Sequence, residues 1–170
     1  MADDQKLWDQ IRNGDARAFD DFYRDSAPHL QTFLRQIVGN SQTAEDLVQE
    51  IFMQVWQRPN GFQPERGSLR AYIYGIGRKR AADWWRKQKA KTSIEPDQIT
   101  VSSWEPTSMI SDVLSLLPEE QRTLLWLREV EGLSYAELAT IIEIPVGTVR
   151  SRLFSAREAA RKLWQGQCKR

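Results

Sequence analysis

Cysteine and histidine are nearly missing from this chain, with one of each in 170 residues, Cys168 and His29. A lone cysteine excludes a disulfide within the chain and suits a reducing compartment. No Cys/His metal cluster and no glycine-rich phosphate loop occurs, so the usual machinery of an enzyme is lacking and no cofactor is expected. His29 follows Pro28 in a helical stretch and reads as structural or exposed; Cys168 lies in a polar tail. Long apolar runs are also missing. None approaches the ~20 residues of a membrane span, so no membrane insertion is expected. The opening "MADDQKLWDQ" has neither a basic flank nor an apolar core, which argues against a signal peptide and for a cytoplasmic protein. Strand signals are almost absent as well, which points to an all-α fold.

What is present is charge, unevenly distributed. The formal net charge is only +1, with 41% hydrophobic and 28% charged residues, as in a soluble globular protein. Residues 1–57 hold ten acids against five bases. From Arg78 to Lys91 there are seven bases and one acid, and from Arg150 to the end again seven and one. Two separate basic patches on a near-neutral chain suggest two nucleic-acid contacts.

Helical patterns run nearly end to end. Leu7, Trp8 and Ile11 mark a first helix that stops at Asn13-Gly14. Asp15 caps a second, which carries Phe22, Leu30, Phe33, Leu34 and Ile37 inward and ends at Gly39-Asn40. In "SQTAEDLVQEIFMQVWQRP" the residues Leu47, Val48, Ile51, Phe52, Val55 and Trp56 form one apolar stripe. Ser68 caps a long helix to about Lys91, with Leu69, Tyr72, Ile73 and Ile76 expected inward. Trp84 falls near that inward arc. Tyr74, Arg78, Trp85 and Lys89 form an outward stripe in which aromatic rings alternate with cations. Such a stripe suits single-stranded DNA, because rings stack on bases while cations hold the backbone.

Between Thr92 and Ser108, "TSIEPDQITVSSWEPTS" loses periodicity and reads as a flexible linker. It would span about 20–25 Å as a coil and about 55 Å extended. The expected organisation is therefore two helical domains, 1–91 and 109–170, joined by residues 92–108.

The second domain ends in a helix-turn-helix pattern, "SYAELATIIEIPVGTVRSRLF". Ser134 and Glu137 form a capping box, Ala136 and Ala139 are small, and Pro145-Val146-Gly147 opens the second helix. At 100° per residue Val149, Leu153, Ala156 and Ala160 share an inward arc. Thr148, Ser151 and Ser155 lie on one outer flank; Arg150, Phe154, Arg157 and Arg161 lie on the other. A helix N-terminus offers free N–H groups and positive partial charge to a phosphate, and arginine can take a guanine edge with two hydrogen bonds.

"LPEEQRTLLWLREVEGLSYAELATIIEIPVGTVRSRLFSAREAARKL" closely resembles domain 4 of the extracytoplasmic-function (ECF) group of sigma-70 factors. "AEDLVQEIFMQVW" and "LRAYIYGIGRKRAADWWRK" resemble the polymerase-binding and promoter-melting helices of domain 2 of that group. The resemblance covers nearly the whole chain except the linker. It implies a non-enzymatic factor that binds core RNA polymerase, reads a −35 promoter element with domain 4 and opens a −10 element with domain 2. An anti-sigma factor that holds it inactive until a stress signal arrives is a further implied partner.

Carried onto this sequence, the −35 contacts are Pro145, Gly147, Thr148, Arg150, Ser151, Phe154 and Arg157. The −10 contacts are Tyr74, Arg78, Lys79, Trp85 and Lys89, with the loop from Phe62 to Ser68 holding a flipped base. The polymerase would meet Asp46, Gln49, Glu50 and Gln54. Lys79 stands where the family usually has asparagine; it lacks that residue's paired donor and acceptor and suits a phosphate equally well. Ser155 stands where close relatives often carry a base. A stand-alone transcriptional regulator, with the helix-turn-helix as its reader, is the competing interpretation.

Overall fold

The computed structural model describes residues 2–58, 60–91 and 113–167, and all regular structure among them is helical. The expected linker and Cys168 lie outside the described residues. The chain divides into two compact units, the break falling between residues 103 and 104.

In the N-terminal unit, α1 (Ala2–Arg12) ends at Gly14, whose φ of +83° lets the chain reverse. The Asp15 carboxylate accepts the N–H groups of Arg17 and Ala18 and starts α2 (Ala16–Val38). Gly39, at φ 71°, closes that helix by donating to the Arg35 carbonyl. Asn40 caps α3 (Ser41–Gln57) through the Thr43 N–H at 2.8 Å. After a loop with a short 3-10 turn at Pro64–Arg66, the Ser68 hydroxyl accepts from Ala71 N–H and opens α4 (Leu69–Lys91).

The core of this unit is built from Leu30, Phe33 and Leu34 of α2, Ile51 and Val55 of α3, and Leu69, Ile73 and Tyr74 of α4. Gly77 marks where α4 comes closest to its neighbours. A Cβ there would lie 3.2 Å from Leu30 Cδ1, 3.4 Å from Leu34 Cδ2 and 3.6 Å from Ile51 Cδ1. The buried face of α4 differs from the expected one. Leu69 and Ile73 are inward, but Tyr72 and Ile76 are half-buried, while Tyr74, Gly77 and Ala81 are buried. The reason is that α4 packs against α1, α2 and α3 together, so its buried arc is wider than a single stripe.

The C-terminal unit begins with a short turn, 113–117, that buries Leu114 and Leu117 and leaves Leu116 exposed. Helix α5 (Glu119–Leu125) continues through a wider π turn at Trp126–Val130 and ends at Gly132, φ 69°. The buried Arg122 guanidinium reaches the Ser115 carbonyl at 3.5 Å; desolvation pushes its pKa down, against the pull of Glu119. Helices α6 (Tyr135–Ile142) and α7 (Val146–Gln167) complete the unit. Leu124, Leu127, Leu138, Val149, Leu153 and Ala156 are fully buried together.

Two glycines of α4 should respond oppositely to substitution. At Gly75 an added methyl group would have nothing within 4 Å, whereas at Gly77 it would meet three core side chains. Gly75→Ala should raise stability by about 0.5–1 kcal/mol through helix propensity. Gly77→Val should lower it by about 1–3 kcal/mol through overpacking. Thermal unfolding of the full chain, followed by circular dichroism, distinguishes the two.

Candidate nucleic-acid interface

The helix-turn-helix is built as its sequence dictates. Glu137 N–H donates to Ser134 Oγ at 3.2 Å and Ser134 N–H to Glu137 Oε2 at 2.8 Å, so both halves of the capping box form. Glu143 adopts a left-handed conformation, φ 61°, and with Ile144 and Pro145 makes a three-residue turn. Pro145 then accepts the N–H groups of Thr148 and Val149 and starts α7. Leu138, Ile141 and Ile142 pack inward from α6; Ala136, expected at the crossing, is exposed.

Pinned by Val149, Leu153 and Ala156, α7 turns Pro145, Gly147, Arg150, Ser151, Phe154 and Arg157 to solvent, with Thr148 half-buried. Phe154 is 67% exposed, so its ring contributes little to the core and is available for an apolar contact.

The arginines of this face are not equivalent. Arg157 places Nε and Nη2 at 3.0 and 2.6 Å from one oxygen of Glu129. Those bonds to Glu129, with Tyr135 adding to them, hold its guanidinium pKa above the ordinary arginine value. Both partners are well exposed, so the pair adds little stability. Arg152 is paired with Glu120, and Ser151 and Ser155 line the same shallow groove. Arg150 instead lies over the Tyr135 ring at 5.8 Å, with Arg128 over that ring at 4.8 Å. Glu120, Arg128, Glu129 and Tyr135 escaped the sequence reading. Glu129 lies 28 residues from Arg157, and no local spacing signals such a partner.

In the N-terminal unit the outward stripe of α4 needs correction. Tyr74 is 1% exposed and its ring packs on Phe33 at 5.0 Å, so it is a core residue that cannot stack on a base. Trp85 is half-buried, and its indole N–H donates to the Ile37 carbonyl of α2 at 3.1 Å. Trp84, expected inward, is also half-buried, its ring edge-on to that of Trp85 at 4.8 Å. Lys79 and Lys89 are exposed and Arg78 is half-buried.

On α3, Asp46, Gln49 and Glu50 face solvent and Gln54 is half-buried. Arg80 of α4, also missed by the sequence reading, donates to Gln54 Oε1 at 2.7 Å and lies 3.9 Å from Glu50. It therefore ties the polar face of α3 to the basic helix α4. Asp46 accepts from Gln42 at 3.1 Å. Met53, 59% exposed, adds an apolar element to this face. Among the described residues no helix is long and apolar enough to cross a membrane, and no cluster of His, Cys, Asp and Glu suits a metal.

Comparison with known proteins gives this geometry a family. Residues 22–91 match the Sigma-70 region 2 model and residues 107–159 the Sigma-70, region 4 model. The RNA polymerase sigma-H factor of Pseudomonas aeruginosa is 31% identical over 95% of this chain and 94% of its own. The chain belongs to the ECF group of the sigma-70 family. The ECF RNA polymerase sigma-E factor of Haemophilus influenzae is 30% identical over 91% of this sigma factor and 92% of its own length. Among solved structures, the sigma factor RpoE of Bartonella quintana, in complex with the anti-sigma factor NepR, aligns with a TM-score of 0.70. It is 25% identical and covers 88% of this chain and 98% of its own. CnrH, in complex with the cytosolic domain of CnrY, has the same fold at 23% identity, with a TM-score of 0.70 over 96% of this chain and 97% of its own.

The burial of Tyr74 has a direct consequence for its substitution. Tyr74→Ala should cost about 3–5 kcal/mol of stability, as for other large core side chains. A base-stacking tyrosine on the surface would cost almost nothing. Denaturant unfolding of the free sigma factor separates these outcomes.

Proposed function

We propose that this sigma factor binds core RNA polymerase through α3 and directs it to promoters, with the two units as separate DNA readers. The first reader spans residues 1–91, the second 109–170, and residues 92–108 connect them. The observation that carries this is the solvent-facing set Arg150, Ser151 and Phe154 on the second helix of a capped helix-turn-helix. Entering a major groove N-terminus first, α7 would offer the Gly147 N–H group to a phosphate. Arg150 would read a base edge of the −35 element, and Phe154 would meet an apolar base surface. Arg157 would have to exchange Glu129 for DNA, and that exchange makes it a weaker contact than Arg150.

At −10, Lys79 and Lys89 would hold backbone phosphates, aided by Arg78, and the exposed part of Trp85 would support an unstacked base. The loop from Phe62 to Ser68 would receive the flipped base. The polymerase would meet Asp46, Gln49, Glu50 and Gln54 with Met53 at their centre. The factor acts in the cytoplasm and is not itself an enzyme. The complexes of its solved relatives support control by an anti-sigma factor that covers these surfaces until released.

Reconstituted transcription with purified core polymerase tests the reading. This factor should restore run-off synthesis from its promoter, which a stand-alone regulator would not do. The free chain should bind duplex promoter poorly at physiological salt, because few phosphates are neutralised by either patch. In the holoenzyme, Arg150→Ala should weaken promoter binding by about 1–3 kcal/mol and relax choice at one −35 base pair. Lys89→Ala should weaken all promoters alike and reduce the salt slope by about one. Tight sequence-specific binding by the free chain would contradict the proposal.

A further inference from the structure

Helix α1 lies ahead of residue 22, where the match to the region 2 family model begins. Its Trp8 is nonetheless 3% exposed and meets two rings from distant parts of the chain. The Phe62 ring stands edge-on to it at a centroid distance of 5.3 Å, and the Tyr72 ring at 6.2 Å. Phe62 and Tyr72 are themselves 5.7 Å apart. Three rings from α1, the loop before α4 and α4 itself thus close on one another.

The loop has reason to need this anchor. Hydrogen bonds tie the loop only at its ends, Gly61 N–H to the Arg58 carbonyl at the close of α3 and Ser68 to the Ala71 and Tyr72 N–H groups of α4. Arg66 N–H to Gln63 and Gly67 N–H to Pro64 shape its middle internally. Gly67, at φ 135°, sits in a backbone region that L side chains rarely adopt. Phe62 supplies a tie to the helical body, being 6% exposed, while Gln63, Glu65 and Arg66 face solvent around it. Gly61 is pressed against the Tyr72 hydroxyl so closely that any Cβ would collide with it. Burial raises the pKa of that hydroxyl, with Arg58 opposing, which agrees with a tightly packed contact.

We propose that Trp8 is a positioning residue for promoter opening: through Phe62 and Tyr72 it fixes the loop 60–68 in the geometry that receives the unstacked −10 base. The proposal rests on the reading that this loop holds the base. Edge-on aromatic contacts have a preferred geometry, so a ring at position 8 sets the loop's placement as well as filling space. A receiving site loosened by a fraction of an ångström loses its grip on a base that must first be unstacked at a cost. Trp8 touches no DNA in this scheme and acts only through the loop.

The test uses holoenzyme with Trp8→Ala, Trp8→Leu and Trp8→Phe, and with the loop variants Gln63→Ala and Arg66→Ala. Opening is read by 2-aminopurine fluorescence at −10, on duplex promoters with each base at the flipped position and on a template already unpaired there. With core binding unchanged, Trp8→Ala should slow opening of the duplex by about tenfold or more, as small displacements of a positioned site can. It should flatten the −10 base preference, act less on the unpaired template, and be rescued by Trp8→Phe. Trp8→Leu, which fills the space without a ring, should behave like Trp8→Ala, and it carries the test if Trp8→Ala lowers the folded fraction. Unchanged opening and base preference in Trp8→Leu would overturn the proposal. So would equal losses on both templates that track the folded fraction. If Gln63→Ala and Arg66→Ala leave base preference untouched, the base-holding reading of the loop falls. If they alter it and the Trp8 variants do not, only the anchor falls.

Discussion

The close approach of α4 to α2 and α3 at Gly77 is the constraint on which the N-terminal unit turns. With Leu30, Leu34 and Ile51 within van der Waals reach of where a side chain would begin, the rotation of α4 about its axis is fixed there. Everything else on that helix follows from this rotation. Tyr74, three residues earlier, is carried into the core against Phe33, while Lys79 and Lys89 are carried out to solvent. Trp85 is set where its indole can reach the end of α2. The basic face of the helix is therefore displayed by a packing contact that contains no charge.

The same logic governs the C-terminal unit through a different device. Val149, Leu153 and Ala156 lock one side of α7 into an apolar core, and the turn at 143–145 sets where that helix begins. The exposed N-terminal turns then project small residues and arginines together. Around them sits a ring of acids and one tyrosine, Glu120, Glu129 and Tyr135, that holds the arginines in place. Exposed pairs of this kind are weak, so they can be exchanged for phosphate at small cost. They also temper the positive field of that face.

Much of the fold was legible in the sequence because its signals are local. Asp15, Ser68 and the Ser134–Glu137 pair cap helices by bonds to residues two or three positions away. Gly14, Gly39 and Gly132 end helices by conformations that glycine alone adopts easily. The inward arc of α7 was legible too, since that helix buries a single face. The periodicity of α4 misled because three helices surround it, and a pattern tuned to one stripe then assigns Tyr74 to the wrong side. Spacing put Trp84 near the inward arc and Trp85 on the outward stripe, yet both are half-buried in the fold.

By itself the sequence determined the helical class, the helix boundaries, the capped helix-turn-helix and the family, since caps, turns and motifs are written in consecutive residues. Only the tertiary structure decided which outward groups have partners. Arg80 with Gln54, Arg157 with Glu129, and Trp8 with Phe62 and Tyr72 are separated in the chain and meet only after the helices pack. The physical reason is that a helix's own residues fix its periodicity, whereas the orientation of its faces is set by the volumes of the neighbours it must fit.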